Sequence, residues 1–396
     1  MNILLISRCP PWPLHLGDRL IIYHLVSELE LVHHNIDLLA FSNRPEDADE
    51  LDHYDYKFRH VELIPEPTRT PLDYAQRLLW PPARFPASAQ AAWSPAMWQA
   101  IERRLDAQQY DVVHLFGGVH VYEVHKALRG LPTVITPYES YSLYLRRALE
   151  QAPHLRERAA LSAQQAIARG FERFMFTPYQ RTVVVAERDR DELHALNPML
   201  PIDVIPNGVD LDTFRVKPTP RLPDTLLFTG NYEYAPNVDA ALWLAREILP
   251  SVQARIPDVK LWLVGNAPPP EMQALASETV KVTGRVPDIK PYLARATAFV
   301  SPLRLGAGIK NKVLEALALG CPVVATPISV DGISVTDGQD ALVADNDALV
   351  DAVVRLLKDT ALQAALSDNG RRLIEERYSW ARVAALYERL YHEVSQ

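Results

Sequence analysis

Ala298 to Thr326 reads AFVSPLRLGAGIKNKVLEALALGCPVVAT, and this stretch decides the fold class. Ala298–Ser301 and Val323–Thr326 are short apolar runs of strand type. Between them, Lys310–Leu319 sets Val313, Leu314 and Leu317 on one stripe at helical spacing, the pattern of a helix with a single buried face. Gly306 and Gly308 punctuate the loop ahead of the helix, and Gly320-Cys321-Pro322 stops the chain behind it. Strand, glycine loop, helix and strand in one short stretch form the repeating unit of an α/β fold with a parallel sheet.

The same alternation extends outward. In the second half of the chain Leu226–Thr229, Lys260–Val264, Val280–Thr283 and Ala341–Ala344 are further strand candidates. Asn237–Ile248, Ile289–Arg295 and Asp347–Leu357 read as helices between them, which makes a doubly wound domain of its own. In the first half Ile3–Ser7, Ile36–Phe41, Val112–Leu115, Thr133–Thr136 and Thr182–Ala186 read as strands. Arg19–Leu31 carries Leu20, Tyr23, His24, Ser27 and Leu31 at helical spacing and is expected to pack on the first strand. Pro206, Gly208, Pro218 and Pro220 crowd the join at 201–220, where neither element type can continue. Trp380–Val394 reads as a last amphipathic helix, while Pro65–Trp98 has no clean period and receives no assignment.

At 396 residues the chain accommodates two domains of about 150–200 residues each. Its 48% apolar and 23% charged residues are those of a globular protein, and a net charge of −8 gives no reason to expect nucleic acid as a partner. Cys9 and Cys321 stand alone, without a paired or Cys/His spacing, so neither a disulfide framework nor a zinc site is indicated. MNILLIS lacks a basic leader and is cut short by Arg8, Pro10, Pro11 and Pro13, so it reads as a first strand. The apolar stretch Ala316–Val330 is too short and too broken to span a bilayer. A cytoplasmic location is expected.

Ligands of open α/β sheets bind at the carboxyl ends of the strands, where short loops lead into helix N-termini. Three such loops stand out: Thr229-Gly230-Asn231, Val264-Gly265-Asn266 and Arg304-Leu-Gly306-Ala307-Gly308-Ile309-Lys310. In the third, two glycines permit close backbone approach, the following helix offers free N–H groups, and Arg304, Lys310 and Lys312 add positive charge. A diphosphate suits that chemistry; the same glycines also serve a loop that merely turns, with solvated lysines. Glu315, one turn beyond Asn311, flanks the buried stripe, where it could accept hydrogen bonds from two ribose hydroxyls or simply face water.

With these residues in view, a family resemblance becomes specific. Gly308–Thr326 closely resembles the donor-site segment of GT-B glycosyltransferases of family 4 (group 1). Val204-Ile-Pro-Asn-Gly-Val-Asp-Leu-Asp-Thr-Phe214 resembles their interdomain segment, and Leu226–Gly230 with Pro236-Asn237 their first donor-domain strand and loop. Leu261–Gly265 and Gly284-Arg-Val-Pro-Asp288 match further landmarks, so the resemblance covers residues 200–396; it is weaker in Pro10–Leu29, Asp111–His114 and Val183–Leu193. The resemblance implies two Rossmann-like doubly wound domains facing a central cleft: an acceptor-side domain over 1–200, a nucleotide-sugar donor domain over 201–377, and a return helix over 378–396 that packs on the first. It further implies that Glu315 holds the ribose, that Gly230 approaches the diphosphate, that Arg285 and Val286 meet the base, and that Gly17 faces the donor from the first domain. Gly230, Asn231, Gly265, Arg304, Gly306, Ala307, Gly308, Ile309, Lys310 and Asn311 complete the expected donor-binding set. Lys310, Glu315 and His114 are the candidate catalytic residues.

Two departures from the family pattern matter. Ala307 stands where the family commonly has the first of two glutamates, and Asn231-Tyr-Glu-Tyr234 stands where it often has an Arg and a Lys that grip the diphosphate. Arg304, Lys310 and Lys312 are expected to supply the missing charge. No standard catalytic His occurs in Thr136-Pro-Tyr-Glu-Ser140, leaving Tyr138 and Glu139 as candidate cleft residues. His114, at a strand end, reads either as an acceptor-site residue or as a satisfied core histidine. Asp-x-Asp pairs at Asp47-Asp49, Asp189-Asp191, Asp210-Asp212 and Asp345-Asp347 all fall at turns or helix starts where Asp is locally favoured, so no metal site is expected. Tyr144–Arg190 is rich in Arg, with Phe171, Phe174, Met175 and Phe176 interleaved; it reads either as a peripheral contact for anionic membrane or as a helix with one core face and one solvated face.

The expected activity is a retaining, metal-independent hexosyl transfer from a nucleoside diphosphate sugar of UDP or GDP type to an acceptor hydroxyl, in polysaccharide or glycolipid assembly. The sugar nucleotide is a co-substrate and no bound cofactor is expected. Two rival readings are a GT-B sugar-nucleotide epimerase, which would act without acceptor, and a non-catalytic sugar-nucleotide-binding subunit. A cofactor-dependent phosphorylase would announce itself by a bound aldehyde chromophore.

Overall fold

The computed structural model describes residues 1–14, 16–215 and 219–396, with the backbone alone at 346–347. Pro218 of the expected linker and the Asp347 side chain therefore lie outside the described residues. The chain forms two compact units, Met1–Pro206 with Trp380–Gln396, and Asn207–Ser379.

The first unit is built on seven strands: β1 (Asn2–Ser7), β2 (Asn35–Ser42), β3 (His60–Pro65), β4 (Val112–Phe116), β5 (Thr133–Tyr138), β6 (Arg181–Val184) and β7 (Ile202–Val204). They pair in the order β3-β2-β1-β4-β5-β6-β7, all parallel. Helices cover both faces, so the central strands are continuously apolar. Ile3 and Leu5 of β1 point to one core with Ile22, Leu25 and Tyr387, while Leu4 and Ile6 point to the other with Trp98, Ile101 and Phe171.

Several elements differ from the sequence expectation. The helix Gly17–Leu31 buries Ile21, Ile22, Leu25, Val26 and Leu29, not the stripe of Leu20, Tyr23, His24, Ser27 and Leu31. The buried set is the more strongly apolar one. The expected stripe is half-exposed over Leu20, Tyr23, His24 and Ser27, Leu31 is exposed, and His24 stacks on Trp380 of the last helix at 5.3 Å. Two edge strands went unassigned: β3 is half-buried and polar in alternation, and β7 is three residues between prolines. Pro65–Trp98 contains the helix Pro71–Leu79, started by a capping box in which Thr70 and Asp73 satisfy one another's backbone N–H groups, and the start of the helix Pro95–Ala107. What organises that segment is the buried Arg77, ion-paired to Glu123 at 2.8 Å and bonded to the carbonyls of Ala83 and Ala91.

Phe171, Phe174, Met175 and Phe176 all lie in the first unit's core. The aromatic half of the membrane-contact reading is thereby corrected: these four side chains are buried, with Phe171 and Phe174 packed against one another and Tyr122, so they present no apolar surface to a headgroup layer.

The second unit has β8 (Thr225–Thr229), β9 (Lys260–Val264), β10 (Val280–Val282), β11 (Ala298–Ser301), β12 (Val323–Ala325) and β13 (Leu342–Val343), paired in the order β10-β9-β8-β11-β12-β13, again all parallel. Chain order runs outward from β8 to β10 on one side and from β11 to β13 on the other. The switch point lies between β8 and β11, where two successive loops diverge and leave a crevice at the strand ends.

Candidate functional site

The crevice of the second unit is shaped first by its glycines. Gly230 N–H donates to Val264 O at 3.1 Å, and a side chain at Gly265 would meet the Gly230 carbonyl oxygen at 1.8 Å. The loops after β8 and β9 thus touch backbone to backbone. Tyr232 N–H donates to Asn266 O at 2.9 Å, and Asn266 Nδ2 donates to Asn231 Oδ1 at 3.2 Å. Asn237, in the first turn of the helix Ala235–Trp243, donates from Nδ2 to Asn231 O at 2.7 Å and packs under Gly230. These contacts fix one rim of the crevice.

The opposite rim is the loop after β11. Its start is pinned where Leu303 N–H donates to Ser329 Oγ at 3.2 Å and Thr326 Oγ1 donates to Leu303 O at 2.5 Å. Gly306 has φ +136° and lies against the Lys310 side chain, so the loop wraps around that lysine. Lys310 Nζ donates to the carbonyls of Ala307 at 2.6 Å and Gly308 at 2.5 Å. The helix Asn311–Ala318 begins there without a side-chain cap, which leaves first-turn N–H groups available to an anion. Asn207 Nδ2, from the segment that opens the unit, donates to Asn311 Oδ1 at 2.9 Å.

On this helix Lys312 and Glu315 face each other one turn apart. Lys312 Nζ donates to Asn237 Oδ1 and sits 4.8 Å from the Phe228 ring centroid. Desolvation lowers its ammonium to about 7, with Lys310 adding to the fall and Glu315 opposing it. Desolvation likewise pushes the Glu315 carboxyl up to about 7 against the pull of Lys312 and Lys290. Among the described residues no side chain or backbone N–H donates to the Glu315 carboxylate, whose backbone carbonyl alone accepts, from Leu319 N–H at 3.2 Å. A half-buried carboxylate without a donor adds nothing to stability, and on the rim of a crevice it is a candidate ligand-binding group.

The structure brings together Gly230, Asn231, Gly265, Gly306, Ala307, Gly308, Ile309, Lys310, Asn311 and Glu315. Arg304 is diverted: it makes a two-pronged ion pair with Asp239, at 2.6 and 3.0 Å, and lies over the Trp243 ring. Arg285 is exposed and Val286 half-buried on the loop after β10. Gly17, in the first unit, opens the helix Gly17–Leu31 and is exposed. Tyr138 is buried beneath the end of β5, with φ +73°.

His114 requires correction as a candidate catalytic residue. It is fully buried, with Nδ1 2.6 Å from Tyr391 Oη and Nε2 2.8 Å from Thr136 Oγ1. Burial holds it well below the ordinary histidine value, so it is a neutral core histidine with no nitrogen left to offer. Sequence reading also missed Asn207, Asn237 and Asn266. Pro236-Asn237 was visible as a landmark, but its role appears only once its partners on the β8 loop and the 311–318 helix are in place.

With this geometry established, comparison with known proteins is informative. The family model for glycosyl transferases group 1 matches residues 223–359, and that for glycosyltransferase family 4 matches residues 20–213. A phosphatidyl-myo-inositol mannosyltransferase of Mycolicibacterium smegmatis is 31% identical over 203 residues, 48% of this chain and 52% of the relative. The chain thus spans about half the length of the curated relatives it matches. Among solved structures, a sucrose-phosphate synthase of Thermosynechococcus elongatus superposes with a TM-score of 0.73 at 19% identity, over 99% of this chain and 98% of the other. Anabaena HepE, solved with UDP and glucose, superposes with a TM-score of 0.65 at 14% identity, over 99% of each chain. Two parallel, doubly wound sheets, a glycine-rimmed crevice at the second switch point and matches to both family models through most of the sequence lead to one assignment: the chain belongs to the group 1 glycosyl transferases of glycosyltransferase family 4, with the GT-B fold.

Proposed function

We propose that this protein transfers a hexosyl group from a nucleoside diphosphate sugar to an acceptor hydroxyl, with retention of anomeric configuration. The observation that carries the reading is Glu315, a half-buried carboxylate without a donor beside an uncapped helix N-terminus at a glycine-rimmed switch point. Ribose hydroxyls would give that carboxylate the hydrogen bonds it lacks. The diphosphate would lie against Gly230 and the Gly306–Gly308 loop, with Arg285 and Val286 beside the base. Lys310, by tying the Ala307 and Gly308 carbonyls, keeps the loop in the shape that admits an anion.

In the proposed reaction the bond between the anomeric carbon and the β-phosphate oxygen breaks, and the acceptor oxygen bonds to that carbon on the same face. The acceptor proton passes to the departing phosphate. Charge that develops on the diphosphate meets N–H groups and ammonium already in place, which stabilises it without a divalent ion. The mannosyltransferase relative supports a hexose donor, and an acceptor in glycolipid or polysaccharide assembly accords with it.

One pair of observations favours a second reading, a sugar-nucleotide-binding subunit without turnover: Ala307 in place of the first carboxylate and His114 in the core. Incubation with UDP-glucose or GDP-mannose and a panel of hydroxyl acceptors, in EDTA, separates the two. Acceptor-dependent release of nucleoside diphosphate, with the donor's anomeric coupling kept in the product, is expected. Binding without release would favour the subunit, and a changed sugar without acceptor would identify an epimerase.

A further inference from the structure

A diphosphate in the crevice needs a cation, and the loop after β8 from Asn231 to Asn237 contains neither Lys nor Arg. Three basic residues belong to the opposite rim. Arg304 is neutralised by Asp239 and covers Trp243. Lys310 is folded back on the carbonyls of its own loop. Lys312 differs from both. Its side chain leaves the helix Asn311–Ala318, crosses the switch point over the ring of Phe228 in β8, and ends on Asn237 Oδ1. Asn237 in turn holds the carbonyl of Asn231 and underlies Gly230. The ammonium is therefore delivered by the helix that follows β11 to the loop that follows β8.

We propose that Lys312 is the cation that receives the donor diphosphate, positioned by Asn237 beneath the Gly230 loop. The inference rests on the sugar-nucleotide reading of this same crevice. An ammonium can donate three hydrogen bonds, and among the described residues Lys312 makes one, to a neutral amide, with no carboxylate within ion-pair distance. Half-buried and so poorly compensated, it is costly until an anion arrives. Asn237 fits the role of positioning residue, since its two amide atoms hold the ammonium on one side and the loop carbonyl on the other.

The charges around Lys312 are few. Lys310 and Glu315 act on it from its own segment, Lys290 acts in turn on Glu315, and Asn237 is neutral. Burial already brings the free ammonium down to about 7, so an arriving diphosphate would have to raise it again and take up a proton on binding above that pH.

The test is calorimetric titration of the full chain with UDP-glucose and GDP-mannose between about pH 6 and about pH 9, a range in which a diphosphate diester does not titrate. Uridine and guanosine serve as controls without phosphate. Wild type is expected to lose affinity for its sugar nucleotide by up to about tenfold per pH unit above about pH 7. Lys312→Met should weaken binding by about tenfold to a hundredfold at pH 7 and lose the alkaline fall in affinity, keeping only the pH dependence that the Glu315 carboxyl, which also titrates near 7, gives to the bare nucleoside. Lys312→Arg should restore most of the affinity without the alkaline fall, following the nucleoside's own pH profile, because a guanidinium does not lose its proton there. Neither substitution should alter binding of the bare nucleoside, which would betray wider damage to the site. If Lys312→Met binds the sugar nucleotide as wild type does, with the same pH slope, this inference is wrong while the donor reading stands. If wild type binds neither sugar nucleotide, both fall together.

Discussion

Glu315 is a residue whose burial works against the charged form of its side chain. Its carboxyl is pushed up to about 7 by burial, so the folded chain favours the protonated form more than the unfolded chain does. The stability this confers is fully present below the unfolded carboxyl value of about 4.5 and is lost as pH rises through about 7. Glu315→Gln is therefore expected to melt about 2–4 °C higher than wild type at about pH 8 and at the same temperature at about pH 4.5. A variant less stable than wild type at the higher pH would show that the carboxylate is a structural partner. Its place on the helix after the glycine loop was legible in the sequence because that motif is local. Lys312 on Asn237 was not, since the contact joins residues from two different loops of the sheet. His114 posed the same difficulty: a polar residue at a strand end suits cleft and core alike until Tyr391, from the far end of the chain, closes over it.

At the level of elements, the second unit was readable because its strands are compact apolar runs between glycine, proline and aspartate. The places that failed have physical causes. Edge strands β3 and β7 bury only one side and so lack the apolar run. Pro65–Trp98 is organised by a buried ion pair and carbonyl contacts, which carry no periodicity. Arg77→Ala should cost about 3–5 kcal/mol by leaving Glu123 charged and unpaired in the core, measured by urea unfolding of the variant. A loss below about 1 kcal/mol would mean that water replaces the guanidinium there. Within the crevice, Gly265→Ala must force the β8 and β9 loops apart, because the new methyl group would overlap the Gly230 carbonyl. We expect about 1–3 kcal/mol of destabilisation and a loss of sugar-nucleotide affinity larger than that of nucleoside.

At the level of the whole molecule, the chain's last helix belongs to its first unit. Trp380, Val383, Tyr387, Leu390 and Tyr391 of Trp380–Val394 are buried beside Ile22 and Leu25 of the helix Gly17–Leu31. Tyr391 is hydrogen-bonded to His114, and the Glu388 carboxylate accepts from His34 Nε2 at 3.0 Å. A chain ending at Ser379 is expected to lose cooperative unfolding of the first unit, seen as an early transition in calorimetry, while the second unit keeps its own. An unchanged first transition would contradict that dependence.

The central claim is that the crevice between β8 and β11 holds a sugar nucleotide through Glu315. Calorimetric titration of wild type and Glu315→Gln with UDP-glucose and GDP-mannose, in EDTA, tests it most directly. The account predicts that wild type binds one of the two, and that the substitution lowers that affinity by about tenfold or more while the protein stays folded. Equal binding by wild type and variant, or binding by neither, would contradict it.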